Sequence, residues 1–182
     1  MALIVSRRTP FLGIALACIV LLTSAYFLQF HSGLEPCPLC IFQRVFYFLI
    51  GATALIAAFH GARLAGATAY CAVIAILSVI GAIIAGRQVW LQHLPKDLVP
   101  ECGPGLDFML DMYPLGETIR KVLRGSGDCA KVDWTLLGLS LAEWSVLCFI
   151  GLMLSALGIA FLRAKQRPVR RRRSSSGGGG YA

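Results

Sequence analysis

Cys37 and Cys40 stand three apart in the stretch EPCPLCIFQRVF (35–46), and Arg44 follows one helical turn after the second cysteine. That spacing suits three kinds of chemistry. Cysteines at i and i+3 around a turn bring their Cα atoms within disulfide range, about 4.4–6.8 Å, so the pair can exchange electrons or simply staple a loop. It is also half of a zinc site, but zinc takes four ligands. Cys102 and Cys129 are far apart in the chain, and His31 and His93 are unclustered, so no second half-site stands beside the first. No metal is expected.

Local sequence bears on how the pair would behave. Pro36 and Pro38 stiffen the approach, which places the next helix start near Leu39–Cys40. Cys40 would then lie near free backbone N–H groups and the positive end of the helix, which favours a thiolate. Arg44, at i+4 on the same face, adds a cation there and a donor for a ligand carbonyl. An Arg inside a membrane helix costs about 2.5–3.5 kcal/mol on insertion scales and marks a functional site by default. A long side chain near the interface can snorkel, which weakens that mark.

The elements that must position these residues are membrane helices. The chain has 182 residues, 57% of them hydrophobic and 14% charged, whereas soluble domains are about 45–50% apolar. Four runs reach the roughly 20 apolar residues that a bilayer crossing requires, at about 10–30, 41–59, 64–91 and 143–162. A cleaved signal peptide competes for the first run, since Arg7 and Arg8 precede it. A signal h-region spans only about 7–15 residues, and this run continues through Tyr26, Phe27, Leu28 and Phe30, so a retained helix is expected.

Charge orients the bundle. The net charge of +8 does not suggest nucleic acid, because seven of the 17 Lys and Arg crowd between Arg163 and Arg173, straight after an apolar run. With both termini and the 58–63 turn on the cytoplasmic side, that side carries ten cations. The short outward loop (about 31–40) carries none and the long one (about 92–142) carries five. Thr9-Pro10 offers an N-cap for the first helix, and Ser140 with Glu143 offers a capping box for the fourth. Trp90 and Trp144 fall at the outer boundaries, where indoles suit the headgroup region. Residues 1–163 read as one membrane domain. Residues 164–182 read as a basic Ser/Gly-rich tail without means of building a core.

This topology sorts the seven cysteines. Cys18, Cys71 and Cys148 lie inside apolar runs and read as inert small hydrophobes. Cys37, Cys40, Cys102 and Cys129 all face outward, which points to an oxidising compartment. A bridge between Cys102 and Cys129 would close a loop of about 28 residues and contribute about 3.5 kcal/mol, so a structural staple competes with a redox role. Two pairs on one side favour redox: a mobile pair to accept electrons from a soluble partner, and a rigid pair at the bilayer edge to pass them inward. Between the long-loop cysteines, Leu115, Ile119, Val122 and Leu123 recur at helical spacing. They predict a short amphipathic helix that lies on the membrane face or packs on the bundle.

The stretches PCPLCIFQR (36–44), GRQVWLQH (86–93), ECGPGLDFML (101–110) and GSGDCAKVDWTLLGLSLAEW (125–144), in that order and with four helices, resemble the DsbB family of bacterial disulfide bond formation proteins. The resemblance covers nearly the whole chain except the tail. It implies an all-α four-helix bundle in the bacterial inner membrane, both termini cytoplasmic and the redox loops periplasmic. It also implies a DsbA-like thiol oxidase as partner and ubiquinone or menaquinone as electron acceptor. By resemblance, Cys102 and Cys129 form the disulfide that the partner attacks, and Cys129 then attacks Cys37. Cys40 becomes the thiolate beside the quinone, Arg44 stabilises it and polarises a quinone carbonyl, and His93 lies near the ring. Arg87 and the basic tail receive no role. A paralogue with a dedicated partner would keep all four cysteines. A vitamin K reductase-like protein would carry the loop pair ahead of the C-x-x-C. A scaffold with structural disulfides would consume no quinone.

Overall fold

The computed structural model describes residues 8–33, 36–61, 64–99, 106–132 and 134–165. Cys102, and the tail from residue 166 onward, lie outside them. Four long helices dominate: α1 (Thr9–Ser32), α2 (Pro38–His60), α3 (Leu64–Gln92) and α7 (Leu141–Lys165). Each is long and apolar enough to cross a bilayer. Between α3 and α7 come a 3-10 turn (Lys96–Leu98), three short helices, α4 (Leu106–Met112), α5 (Leu115–Arg124) and α6 (Gly127–Ala130), and a two-stranded hairpin, β1 (Thr135–Leu136) with β2 (Leu139–Ser140).

The helix boundaries refine the sequence reading. The N-cap of α1 is Arg8, with no side-chain cap bond, and Thr9 already belongs to the helix. α2 begins at Pro38, not at Leu39–Cys40, and its N-cap is Cys37. Proline is well suited to the first helical position, because its missing N–H has no partner there and its φ is already helical. The Ser140–Glu143 capping box forms as expected: the Ser140 N–H donates to Glu143 Oε2 at 2.6 Å, and the Glu143 N–H donates to Ser140 Oγ at 3.3 Å. α7 extends to Lys165, so Arg163 and Lys165 lie on the helix.

α3 packs along α7, and α2 packs between α1 and α3. The exterior is apolar, with Phe30 81% and Phe59 78% exposed. Such side chains are unfavourable in water and suit a lipid solvent. Inside, small residues let the backbones approach: Ala15 and Cys18 of α1, Ala54 and Ala57 of α2, Cys71 of α3 and Ala156 of α7 are all buried. A tight meeting is at Gly81, where a Cβ would fall 2.4 Å from the Phe149 ring. That ring stacks on Tyr47 at 4.1 Å, and the Tyr47 hydroxyl donates to the Ser145 carbonyl at 3.2 Å. Gly81→Ala is therefore expected to destabilise the bundle by about 1–3 kcal/mol, the usual cost of overpacking. The measurement is the Tm of protein in detergent, with Phe149→Leu restoring most of the loss; an unchanged Tm would refute the tight contact.

A second core sits where the start of α2 meets the end of α3 and the short helices. Cys37, Leu39, Ile84, Leu91, Met109, Val122 and Cys129 are buried together there. The predicted amphipathic helix is α5, and the structure resolves how it lies. Val122 and Thr118 face the bundle, while Leu115, Ile119 and Leu123 stay exposed. Thr118 takes an inward position that apolar spacing did not assign to it, because its hydroxyl donates to the Met109 carbonyl at 3.0 Å.

Candidate active site

Cys37 caps α2. Its backbone is extended (φ −66°, ψ 161°), and its sulfur accepts the Cys40 N–H at 3.4 Å. The C-x-x-C turn thus becomes the first turn of a helix, and the Cys37 and Cys40 sulfurs lie 2.9 Å apart. Cys129 comes from α6, which Ser126 begins; the Cys129 N–H donates to the Ser126 carbonyl at 2.9 Å. Its side chain is fully buried in the same cluster as Cys37, near enough for the two thiols to influence each other, and its sulfur lies 3.8 Å from the Ser126 hydroxyl oxygen. The Cys37 sulfur is therefore flanked by two others, one from its own helix and one from the long loop.

Electrostatics separates Cys37 from Cys129. The hydrogen bond from Cys37, together with backbone bonds from Ser126 and Leu39 and the Ser126 hydroxyl, outweighs burial and holds the Cys129 thiol down to about 6. The same bond to Cys129, then that to Cys40, then burial, push the Cys37 thiol well up. When both are reduced, the proton of the pair therefore favours Cys37 and the thiolate favours Cys129.

Gln88 of α3 reaches the pair from the other side. Its Nε2 donates to the Cys40 sulfur at 3.2 Å and to the Cys37 sulfur at 3.5 Å. Its Oε1 accepts from Gln43 Nε2 at 2.7 Å, which fixes the amide with its donor toward the sulfurs. Both amides are buried. Sequence reasoning passed over them, yet a signal was present: Gln88 and Gln92 stand at i and i+4 inside an apolar span, where polar side chains are costly.

Arg44 lies one turn below Cys40, but its hydrogen bonds go to α1: to Gln29 Oε1 and to the Ala25 carbonyl, with the guanidinium 4.8 Å over the Tyr26 ring. It ties α1 to α2 and still borders a cavity of about 220 Å3. Cys37, Cys40, Gln43, Gln88 and Gln92 share that lining, with Leu21, Ala25 and Leu28 of α1 and Trp144 and Cys148 of α7 opposite. His93 lies outside the lining, its Nδ1 2.9 Å from the Val89 carbonyl. Among the described residues no group of three His, Cys, Asp or Glu could hold a metal ion. An apolar chamber with a guanidinium and amide donors beside a reactive sulfur fits a lipid-soluble carbonyl compound such as a quinone.

The family model for disulfide bond formation protein DsbB matches residues 7–159. The chain is 50% identical over 147 residues to disulfide bond formation protein B of Methylococcus capsulatus, covering 81% of this chain and 90% of that protein. It is 44% identical over 158 residues to the protein of the same name from Azoarcus sp., covering 87% and 95%. Over 145 residues it is 46% identical to disulfide bond formation protein B 1 of Pseudomonas aeruginosa, covering 80% and 89%. With four apolar helices long enough to cross a bilayer, this multi-pass membrane protein belongs to the DsbB family of disulfide bond formation proteins.

Proposed function

We propose that the chain withdraws electrons from a reduced DsbA-like thiol oxidase in the periplasm and delivers them to ubiquinone or menaquinone in the bacterial inner membrane. Both termini are then cytoplasmic and the two cysteine-bearing loops periplasmic, as the charge asymmetry supports. The observation that carries the reading is the Cys37 sulfur seated between Cys40 and Cys129.

The electron path is a chain of thiol exchanges. A partner thiolate attacks Cys102 of the Cys102–Cys129 disulfide, so a mixed disulfide forms and Cys129 leaves as thiolate. Cys129, released as a thiolate and still held by backbone bonds from Ser126 and Leu39, attacks Cys37 of the Cys37–Cys40 disulfide. A Cys129–Cys37 bond forms and Cys40 leaves as thiolate. When the partner's second thiol closes its own disulfide, Cys102 is freed, rejoins Cys129 and returns Cys37, which leaves Cys37 and Cys40 as the dithiol. A bound quinone supplies the sink for the two electrons and two protons of that dithiol. Arg44, Gln88 and Gln92 would hold its carbonyls, and the α1 and α7 side chains would exclude water. An acceptor of higher potential is necessary because DsbA-type oxidases already work near about −120 mV, and an apolar cavity in a membrane bundle suits a lipid-soluble one.

Purified protein mixed with a reduced thioredoxin-like dithiol protein and ubiquinone should consume quinone catalytically, followed by absorbance, and Cys102→Ser should lose that turnover. No consumption with either ubiquinone or menaquinone would sink the reading and leave the outward cysteines as structural staples.

A further inference from the structure

We propose that Arg87 is a positioning residue that holds Cys129 against Cys37 by clamping the end of α5; this deepens the exchange route above and rests on it. Arg87 is half-buried near the outer end of α3. Its Nη2 donates to the Arg124 carbonyl at 2.9 Å and its Nε donates to the Leu123 carbonyl at 3.4 Å. These belong to the last turn of α5, where carbonyls lack helical partners and the helix dipole is negative. A guanidinium fork can serve two neighbouring carbonyls at once. The same group lies 4.2 Å from the centre of the Trp90 ring, which fixes its plane from below.

The chain just past the clamp leads directly to Cys129. Gly125 leaves α5 at φ +83°, a conformation that favours glycine. There it meets α3 again: a Cβ on Gly125 would fall 2.3 Å from Leu91 Cδ1. Ser126 then opens α6, and Cys129 lies within that single turn. Two successive residues of the segment leading to Cys129, Arg124 and Gly125, are thus gripped by Arg87 and Leu91, and Gln88 of the same helix holds the sulfurs that Cys129 must reach. α5 has ten residues, too few to be stable alone, and only Thr118 and Val122 are buried from it. The clamp accounts for a cation in an apolar span where one is costly.

The test uses full-length Cys40→Ser/Cys102→Ser protein, in which Cys37 and Cys129 are the outward thiols. Diamide takes two electrons and two protons from them as the Cys37–Cys129 bond forms, and the rate is read from loss of maleimide-labelled thiols. Arg87→Met should slow this cross-link at least tenfold, and Arg87→Lys should restore it in part. In Cys129→Ser protein, where dithiothreitol reduces the Cys37–Cys40 disulfide directly, Arg87→Met should leave quinone reduction unchanged. Cross-linking at the unsubstituted rate, or a parallel fall in both readouts, would overturn the proposal. If Arg87→Met does not fold, Arg87→Gln, with one amide donor in place of the fork, carries the same expectations. The cross-link needs neither partner nor quinone, so its failure is distinguishable from a failure of electron delivery.

Discussion

Cys129→Ser protein should lose at least about 1,000-fold in quinone reduction driven by a protein dithiol, as removal of a covalent nucleophile does. The same protein should keep quinone reduction driven by dithiothreitol, because Cys37, Cys40 and the cavity are untouched. Retained turnover with the protein dithiol would mean that electrons reach Cys37 without the long loop. The contact also sets a pH dependence wherever Cys37 is reduced, as in Cys40→Ser/Cys102→Ser protein. There the Cys129 thiol is held down to about 6, so its thiolate dominates above that pH and is lost as pH falls through it. Diamide cross-linking of Cys37 to Cys129 in that protein should therefore fall about tenfold between pH 7 and pH 5, in proportion to the thiolate fraction. A rate flat across that window would refute a thiolate at Cys129.

Gln88→Glu should cost at least about 100-fold in turnover with either dithiol. The substitution keeps the size of the side chain but replaces the amide donor 3.2 Å from the Cys40 sulfur with a carboxylate. Cys40 must leave as a thiolate beside it. Two like charges about 4 Å apart repel by about 4 kcal/mol at an effective dielectric of about 20, so even half that effect gives most of the predicted loss. The carboxylate would still accept from Gln43, so folding should change little. Stopped-flow absorbance of the quinone, compared with Gln88→Met, separates charge from the mere loss of a donor: Gln88→Met should be the milder variant. Equal losses in the two would refute the electrostatic argument.

The bundle was legible in the sequence because a bilayer sets a length that apolar runs must meet, and all four runs appear as helices within a few residues of their expected ends. The start of α2 was misplaced because two prolines read as helix breakers, whereas at the first helical position proline is compatible with the backbone. That shift made Cys37, and not an anonymous loop atom, the cap of the helix. That Cys129 packs beside Cys37 was not legible, since it depends on α6, a single turn hidden in the Gly/Ser-rich sequence GSGDC. Gln88 is uncharged and so carries a weaker signal in an apolar span than Arg44, which was expected at Cys40 when its hydrogen bonds lead to α1. Arg87 gained a role only once a distant helix ended beside it.

The position of Cys37 has a consequence for speed. Its sulfur has Cys40 and Cys129, its exchange partners in the proposed route, beside it already, on elements that are packed in place. The reorientation before each exchange thus needs only rotations about a few side-chain bonds, which take picoseconds to nanoseconds, and no helix has to slide; the S–S bond is then broken and remade by thiolate attack. Arrival of a soluble protein at the loop is a diffusional encounter, slower by many orders of magnitude at cellular concentrations. The bundle then resembles a fixed track whose throughput is set by traffic outside it. Membrane stiffness, whether from cold or from lipid composition, would leave the sulfur step nearly untouched, and partner abundance would govern how fast disulfides are made.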